Sequence, residues 1–245
     1  MRWLAYMISR FLAMLIFQLI GKMRVLHRGR SAMRGGYILV SNHISHFDPP
    51  ILSVATRRKI DWMSMIELFE NCVVAAWLRA IEAFPTDRSQ VDRAAVRIAL
   101  ARLARGHVVG IFPEGGIRDG ARSVLAGAPP KLGAATLAQL ANAPILPCAI
   151  LGADRFYNSK MWLPFFRRAR LWIAFGEPIY APQNVSKTEA RAFLESELAS
   201  AFPRLLAELR EHYSLTDDDL PQPPARRKGR EKIDSNRSSD SERAR

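Results

Sequence analysis

Acidic residues are missing from the first 47 positions, where seven bases stand: Arg2, Arg10, Lys22, Arg24, Arg28, Arg30 and Arg34. Cysteine is scarce, with only Cys72 and Cys148, and no CxxC or Cys/His cluster exists, which argues against a zinc site or disulfide scaffold. Each cysteine lies in an apolar stretch and reads as a reduced core residue. There is no G-x-S-x-G elbow and no Walker A loop, so a serine acyl-enzyme and a nucleotide-driven reaction lack support. Only one long apolar run exists, which excludes a polytopic membrane protein. No internal repeat is present.

What is there is an ordinary globular composition: 245 residues, 49% hydrophobic and 24% charged. That suffices for one large domain with appendages. The chain carries 36 bases against 23 acids, a net +13, which favours an anionic partner. The seven amino-terminal bases flank the apolar run Trp3–Ile20, interrupted by Ser9, Arg10 and Gln18. An apolar segment with basic flanks favours an anionic membrane surface over nucleic acid. As a helix it would reach roughly 27 Å, slightly short of a bilayer core. Arg10 in its middle argues against easy crossing unless its stem carries the guanidinium to the headgroups. Residues 1–22 are therefore expected to form a membrane-associated helix, and 23–216 a single α/β domain. The stretch from Asp217 to Arg245, with eight bases, seven acids and little aliphatic content, is expected to be a disordered tail.

Strand-like and helix-like runs alternate from Gly35 to Ile179, predicting a largely parallel or mixed sheet flanked by helices. Strands are expected at Tyr37–Val40, Ile60–Met65, Ile81–Phe84, His107–Phe112, Ile145–Leu151 and Leu171–Phe175. Helices are expected at Phe47–Thr56, Cys72–Arg79, Val91–Arg105, Leu132–Ala141 and Ser186–Glu211. Ser186 with Glu189 forms a capping box.

Three strand ends carry chemistry. In Asn42-His43-Ile44-Ser45-His46-Phe47-Asp48, His43 and Asp48 are five residues apart. That spacing separates them by about 140° on a helix and puts them on opposite faces of a strand, so they meet only across an irregular turn. A carboxylate on one imidazole nitrogen fixes the tautomer and leaves the other as a base. Ser45 and Asp48 also fit an S-x-x-D helix cap. In Phe112-Pro113-Glu114-Gly115-Gly116-Ile117-Arg118, two glycines free the backbone to turn toward a ligand, and Glu114 and Arg118 stand at the strand's carboxyl edge. In Phe84-Pro85-Thr86-Asp87-Arg88, the Arg88 fork suits a phosphate, or equally a surface pair with Asp87.

Together these blocks resemble the glycerolipid acyltransferase family, marked by N-H-x-x-x-x-D, F-P-x-[DE]-R, F-P-E-G and a late apolar block around proline, here Ile145-Leu146-Pro147. Pro130-Lys131-Leu132-Gly133 and Gly176-Glu177-Pro178-Ile179 are similar to family features too. The family often continues F-P-E-G with Thr-Arg-Ser; here Gly116-Ile117-Arg118 displaces the arginine by one place. The resemblance, over roughly Arg24 to Ile179, implies acyl transfer from an acyl thioester, acyl carrier protein or coenzyme A, to a glycerolipid hydroxyl. The acceptor it implies is 1-acyl-sn-glycerol 3-phosphate. It implies His43 as general base, Asp48 as its orienting partner, and Arg88, Glu114, Gly115, Gly116 and Arg118 as acceptor-binding residues. No metal, resident cofactor or nucleic acid is implied, and the expected place is the cytoplasmic face of the cell membrane. Another lysolipid or amino-acid lipid acceptor, or an inactive membrane-binding relative, stands as the alternative.

Overall fold

The computed structural model describes residues 2–87, 92–157 and 169–221. Its seven strands are β1 (Gly21–Leu26), β2 (Tyr37–Ser41), β3 (Ile60–Met65), β4 (Phe84–Thr86), β5 (Val108–Ile111), β6 (Ile145–Leu151) and β7 (Ala169–Phe175). Its α-helices are α1 (Arg2–Ile20), α2 (Asp48–Ala55), α3 (Cys72–Ala80), α4 (Arg93–Ala104), α5 (Gly133–Ala141) and α6 (Lys187–Tyr213). The strands form one sheet in the order β1-β7-β6-β2-β5-β3-β4. All neighbours are parallel except β6 and β7, so β1 and β7 run against the other five.

The central strands are apolar throughout because both faces are covered. β2 shows the division: Tyr37 and Leu39 point to the core under α1, α2 and α3, while Ile38 and Val40 point to the core under α4, α5 and α6. β7 repeats it, with Leu171, Ile173 and Phe175 on the first side and Trp172 and Ala174 on the other. A period of two thus builds two cores from one strand. Pro85 sits in β4, at the sheet edge, where a missing N–H breaks no ladder. The Ser186–Glu189 capping box opens α6.

Several elements depart from the sequence reading. Lys22 and Arg24 lie on β1, whose charged residues alternate along an edge strand and hide its strand character. The strand expected at Ile81–Phe84 lies at Phe84–Thr86, after a turn in which Glu82 takes φ +66°. Cys72 is no core residue: it is exposed on the first turn of α3, and only Cys148 is buried. Of the tail expected from Asp217 to Arg245, residues 222–245 lie outside the described residues, and the first part holds a short turn at Asp217–Asp219. Arg210 bonds Asp217 at 2.8 Å, Arg155 bonds Asp219 at 3.3 Å, and Leu220 packs on the core.

The amino-terminal helix has an inverted face pattern. Tyr6, Arg10 and Phe17 turn toward the protein, while Leu4, Ile8, Phe11, Leu12, Leu15 and Leu19 are exposed. Arg10 does not reach outward to headgroups. Its guanidinium donates to the Thr56 carbonyl at 2.8 Å, at the end of α2. Arg28 similarly binds the Val54 and Ala55 carbonyls at 3.0 and 2.7 Å, and Arg30 binds Phe175 O and Glu177. Three of the seven bases that mark this end of the sequence therefore satisfy helix- and strand-end carbonyls. Among the described residues, no helix is long and apolar enough to cross a membrane.

Candidate active site

The site forms at the carboxyl ends of β2, β5 and β6. Where β2 stops, the Asn42 side chain continues its ladder. Its Nδ2 donates to Ile150 O at 2.9 Å and its Oδ1 accepts from Ile150 N at 2.8 Å, so the amide mimics a peptide against β6. The backbone can then leave the sheet without orphaning buried groups. The following turn brings His43 and Asp48 together, Nδ1 to Oδ2 at 2.8 Å. The same Oδ2 accepts the Ile44 and Ser45 N–H groups at 2.7 and 2.8 Å. Asp48 is thus the first residue of α2, and it folds the turn back onto itself. Pro49 and Pro50 follow in the first helical turn, where a proline costs no bond.

Asp48 is fully buried, and burial pushes its carboxyl up; the imidazole and the two N–H groups pull it back toward ionisation. Three donors converging on one oxygen define the anionic form and hold His43 with its proton on Nδ1. His43 Nε2 has no partner among the described residues and is left as the free basic nitrogen.

Glu114 braces this turn from the loop after the neighbouring strand β5. Its Oε2 accepts the His43 N–H at 2.7 Å, and its Oε1 accepts Ser123 Oγ at 2.8 Å and Val124 N at 2.9 Å. Both oxygens are occupied by the chain's own donors, and the residue is buried. Burial raises its carboxyl, and the Val124, His43 and Ser123 donors oppose that. The structure therefore turns Glu114 inward and brings neither Arg118 nor a free surface to it. Arg118 N donates to His43 O at 2.9 Å, so the His43 backbone is held at both ends by the β5 loop.

The imidazole face is set by a stack that the sequence does not reveal. The His43 ring lies 4.0 Å from Phe112, and Phe112 lies 5.0 Å from Trp62, with interplanar angles of 16° and 7°. Trp62 is pinned by Nε1–H to Ser53 Oγ at 3.0 Å. Gly110 makes room: a Cβ there would stand 2.5 Å from the Trp62 ring. The stack thus joins β3, β5 and α2 behind one side chain.

At the outer side, Gly115 takes φ +66°, a conformation that side chains resist, and Gly116 lies beside the Arg118 guanidinium. Lys131 crosses directly over Gly115, and its own N–H is held by Pro113 O at 2.8 Å. Neither Arg118 nor Lys131 has a carboxylate partner among the described residues. Two cations therefore flank the glycine turn next to His43, a place suited to an anionic group. Lys131 belongs to the Pro130–Gly133 block noted in the sequence, but no spacing rule connects it to residue 115, so its place over the turn is not legible there. Its clue was a base between Pro130 and the start of α5. Gly115→Ala is expected to cost about 1–2 kcal/mol in backbone strain and to displace Lys131. Thermal unfolding and acceptor kinetics measured together would check this, and an unchanged acceptor KM would separate Lys131 from the site.

His46 sits at the rim, its backbone N–H donating to the Tyr157 hydroxyl at 3.0 Å and its ring Nδ1 bonded to the same oxygen at 2.5 Å. Arg88 falls outside the described residues; the preceding Asp87 is held by Asp92, which accepts its N–H at 2.9 Å and caps α4. At the opposite edge of the sheet, Asp61, Glu82 and His107 come together. Lys59 and Arg102 pair with that group, which makes it an ion network rather than an empty ligand set.

A buried aspartate, an imidazole and a glycine turn thus meet at the strand ends of a mainly parallel α/β sheet. Residues 22–151 match the family model described as Acyltransferase, and the chain belongs to that family. The chain is similar to 1-acyl-sn-glycerol-3-phosphate acyltransferase of Bacillus subtilis, 28% identical over 166 residues, covering 67% of this chain and 77% of that one. It is also similar to the enzyme of that name from Streptococcus pneumoniae, 30% identical over 146 residues, covering 58% of this chain and 50% of that one. The crystal structure of the 1-acyl-sn-glycerophosphate acyltransferase PlsC from Thermotoga maritima shares the fold. Its TM-score is 0.63 at 20% identity, over 85% of this chain and 81% of that one.

Proposed function

We propose that the protein transfers a fatty acyl group from an acyl thioester to the free hydroxyl of 1-acyl-sn-glycerol 3-phosphate, giving phosphatidate. The observation that carries the reading is His43 Nε2, which has no partner among the described residues and is backed through Nδ1 by a buried carboxylate. Both curated relatives described above bear this activity in their names.

In this mechanism His43 Nε2 takes the proton of the acceptor hydroxyl as its oxygen attacks the thioester carbonyl. Asp48 stabilises the resulting imidazolium. The tetrahedral oxyanion collapses, the C–S bond breaks, and the leaving thiolate receives the proton from His43. Thiol and phosphatidate are the two products, and no acyl-enzyme forms. The acyl carrier is coenzyme A or acyl carrier protein. Arg118 and Lys131 supply positive charge for the acceptor phosphate, with Arg88 as a further candidate.

The exposed apolar face of α1 supports docking on the cytoplasmic face of the membrane, where a lysolipid acceptor resides. Because Arg10, Arg28 and Arg30 are engaged internally, this docking rests mainly on apolar contact, and anionic lipid adds to it.

Arg118→Ala is expected to raise the KM for lysophosphatidate about ten- to a hundred-fold, the loss of a charge-assisted contact of roughly 1.5–3 kcal/mol, with little change for the thioester. Arg118→Lys should fall between, since it keeps charge but loses the planar fork. Steady-state kinetics with each substrate varied in turn is the check. Equal losses for both substrates would remove Arg118 from the phosphate site and favour a phosphate-free acceptor lipid.

A further inference from the structure

β3 ends at the same sheet edge as His43 and runs into a 3-10 turn at Ile66–Phe69, followed by α3. This segment presents its large apolar side chains outward. Ile66, Leu68, Val73, Val74 and Trp77 are exposed, Val73 at 73% and Trp77 at 49%, while Ala75 and Leu78 face the core. Asn71 caps the helix by accepting the Val73 and Val74 N–H groups at 3.0 and 3.1 Å, so the face is built, not frayed. An apolar patch of this kind on a soluble surface marks an interaction site.

The patch continues into α1. The helices pack side by side, and Trp77 Nε1–H donates to Ser9 Oγ at 3.2 Å. The outward stripe of α1 and the outward face of α3 therefore form one apolar surface bordering the edge where the catalytic dyad lies. Glu67 and Glu70 stand exposed on the same segment, and Arg79 lies over the Phe69 ring at 5.7 Å. Mixed charge at the rim does not select an anionic lipid; aliphatic side chains beside an indole whose N–H is already satisfied by Ser9 can enter the acyl region without orphaning a donor.

We infer that the segment from Ile66 to Trp77 is a second membrane-docking element, inserting its apolar face into a lipid bilayer beside α1. The inference rests on the membrane docking of α1 proposed above and adds to it a fixed orientation. One helix alone leaves the body free to roll about its axis. Two apolar elements in contact hold the β2–β5 edge against the lipid, so a lysolipid acceptor reaches His43 without leaving the bilayer.

Cys72 provides a native reporter, because it is exposed at the start of α3 while Cys148 is buried. The full-length chain is labelled at Cys72 with a nitrobenzoxadiazole fluorophore and mixed with phosphatidylcholine vesicles, with and without phosphatidylglycerol. A second sample carries the label on α1, through Leu15→Cys in a Cys72→Ser background. Both labels are expected to shift to the blue and to be quenched by lipids bearing a nitroxide near the headgroup. Val73→Asp combined with Ile66→Asp is expected to weaken vesicle binding at least tenfold. It should leave turnover of a short-chain, monomeric acceptor unchanged. If the α1 label enters the bilayer while the Cys72 label stays in water, the second element is overturned and the α1 reading stands. If neither enters, both fall. A Cys72 shift that grows with protein concentration in the absence of lipid overturns the inference in favour of self-association.

Discussion

His43→Ala is expected to abolish acyl transfer, lowering kcat/KM by at least about a thousand-fold, while the protein still folds. General-base catalysis of this kind contributes roughly 10²–10⁴ in rate, and the imidazole acts as a unit with its carboxylate. The fold should survive because the bonds that shape the turn do not use the ring: His43 N binds Glu114, His43 O binds Arg118 N, and Asp48 binds the Ile44 and Ser45 N–H groups. The Phe112 stack loses one partner, which circular dichroism and a thermal melt would register as a small shift. Asp48→Asn should be nearly as severe in rate, on the order of 10³–10⁴, because a neutral amide no longer selects the Nδ1–H tautomer. It also buries an NH₂ group where Asp48 Oδ1 has no partner among the described residues. Near-normal turnover in either well-folded variant contradicts the assignment of the base.

Glu114→Ala should damage fold and activity together. Removing the carboxylate strips the partner from the buried His43 and Val124 N–H groups and from the Ser123 hydroxyl. A buried donor left unpaired costs about 1–3 kcal/mol, so a loss of about 3–5 kcal/mol is expected. For a domain of this size that lowers Tm by roughly 6–20 °C. Turnover should fall because the backbone of His43 is no longer fixed, and the fall should appear in kcat with both substrates alike. Glu114→Gln retains one acceptor oxygen and should lie between. An unchanged melt with a rise in KM confined to the acceptor contradicts this role and puts Glu114 in contact with the acceptor instead.

The difference between Glu114 as read from the sequence and as folded shows where legibility ends. A carboxylate between a strand and two glycines has the local pattern of a ligand-binding group, and its three donors come from residues 43, 123 and 124, which no spacing rule connects. The sheet was legible because its strands are continuous apolar runs bounded by glycine, proline and charge. β1 was not, since Lys22 and Arg24 interrupt an edge strand whose pairing with β7 is settled across the whole chain. The proximity of His43 and Asp48 was legible, because a dyad five residues apart needs only one local turn. The Trp62–Phe112–His43 stack and Lys131 over Gly115 join distant segments and emerge only from packing. Arg10 shows the same limit: an arginine in an apolar helix reads as a barrier to insertion until Thr56 O is found to receive it.

The most direct test is mass spectrometry of the reaction of the purified protein with lysophosphatidate and an isotopically labelled acyl thioester, beside the His43→Ala variant. Supplying both coenzyme A and acyl carrier protein thioesters identifies the donor in the same experiment. The expected result is labelled phosphatidate and free thiol in equal amounts from the wild-type chain, and neither above background from the variant. Thiol release without phosphatidate, or labelled phosphatidate at a near-normal rate from His43→Ala, contradicts the account.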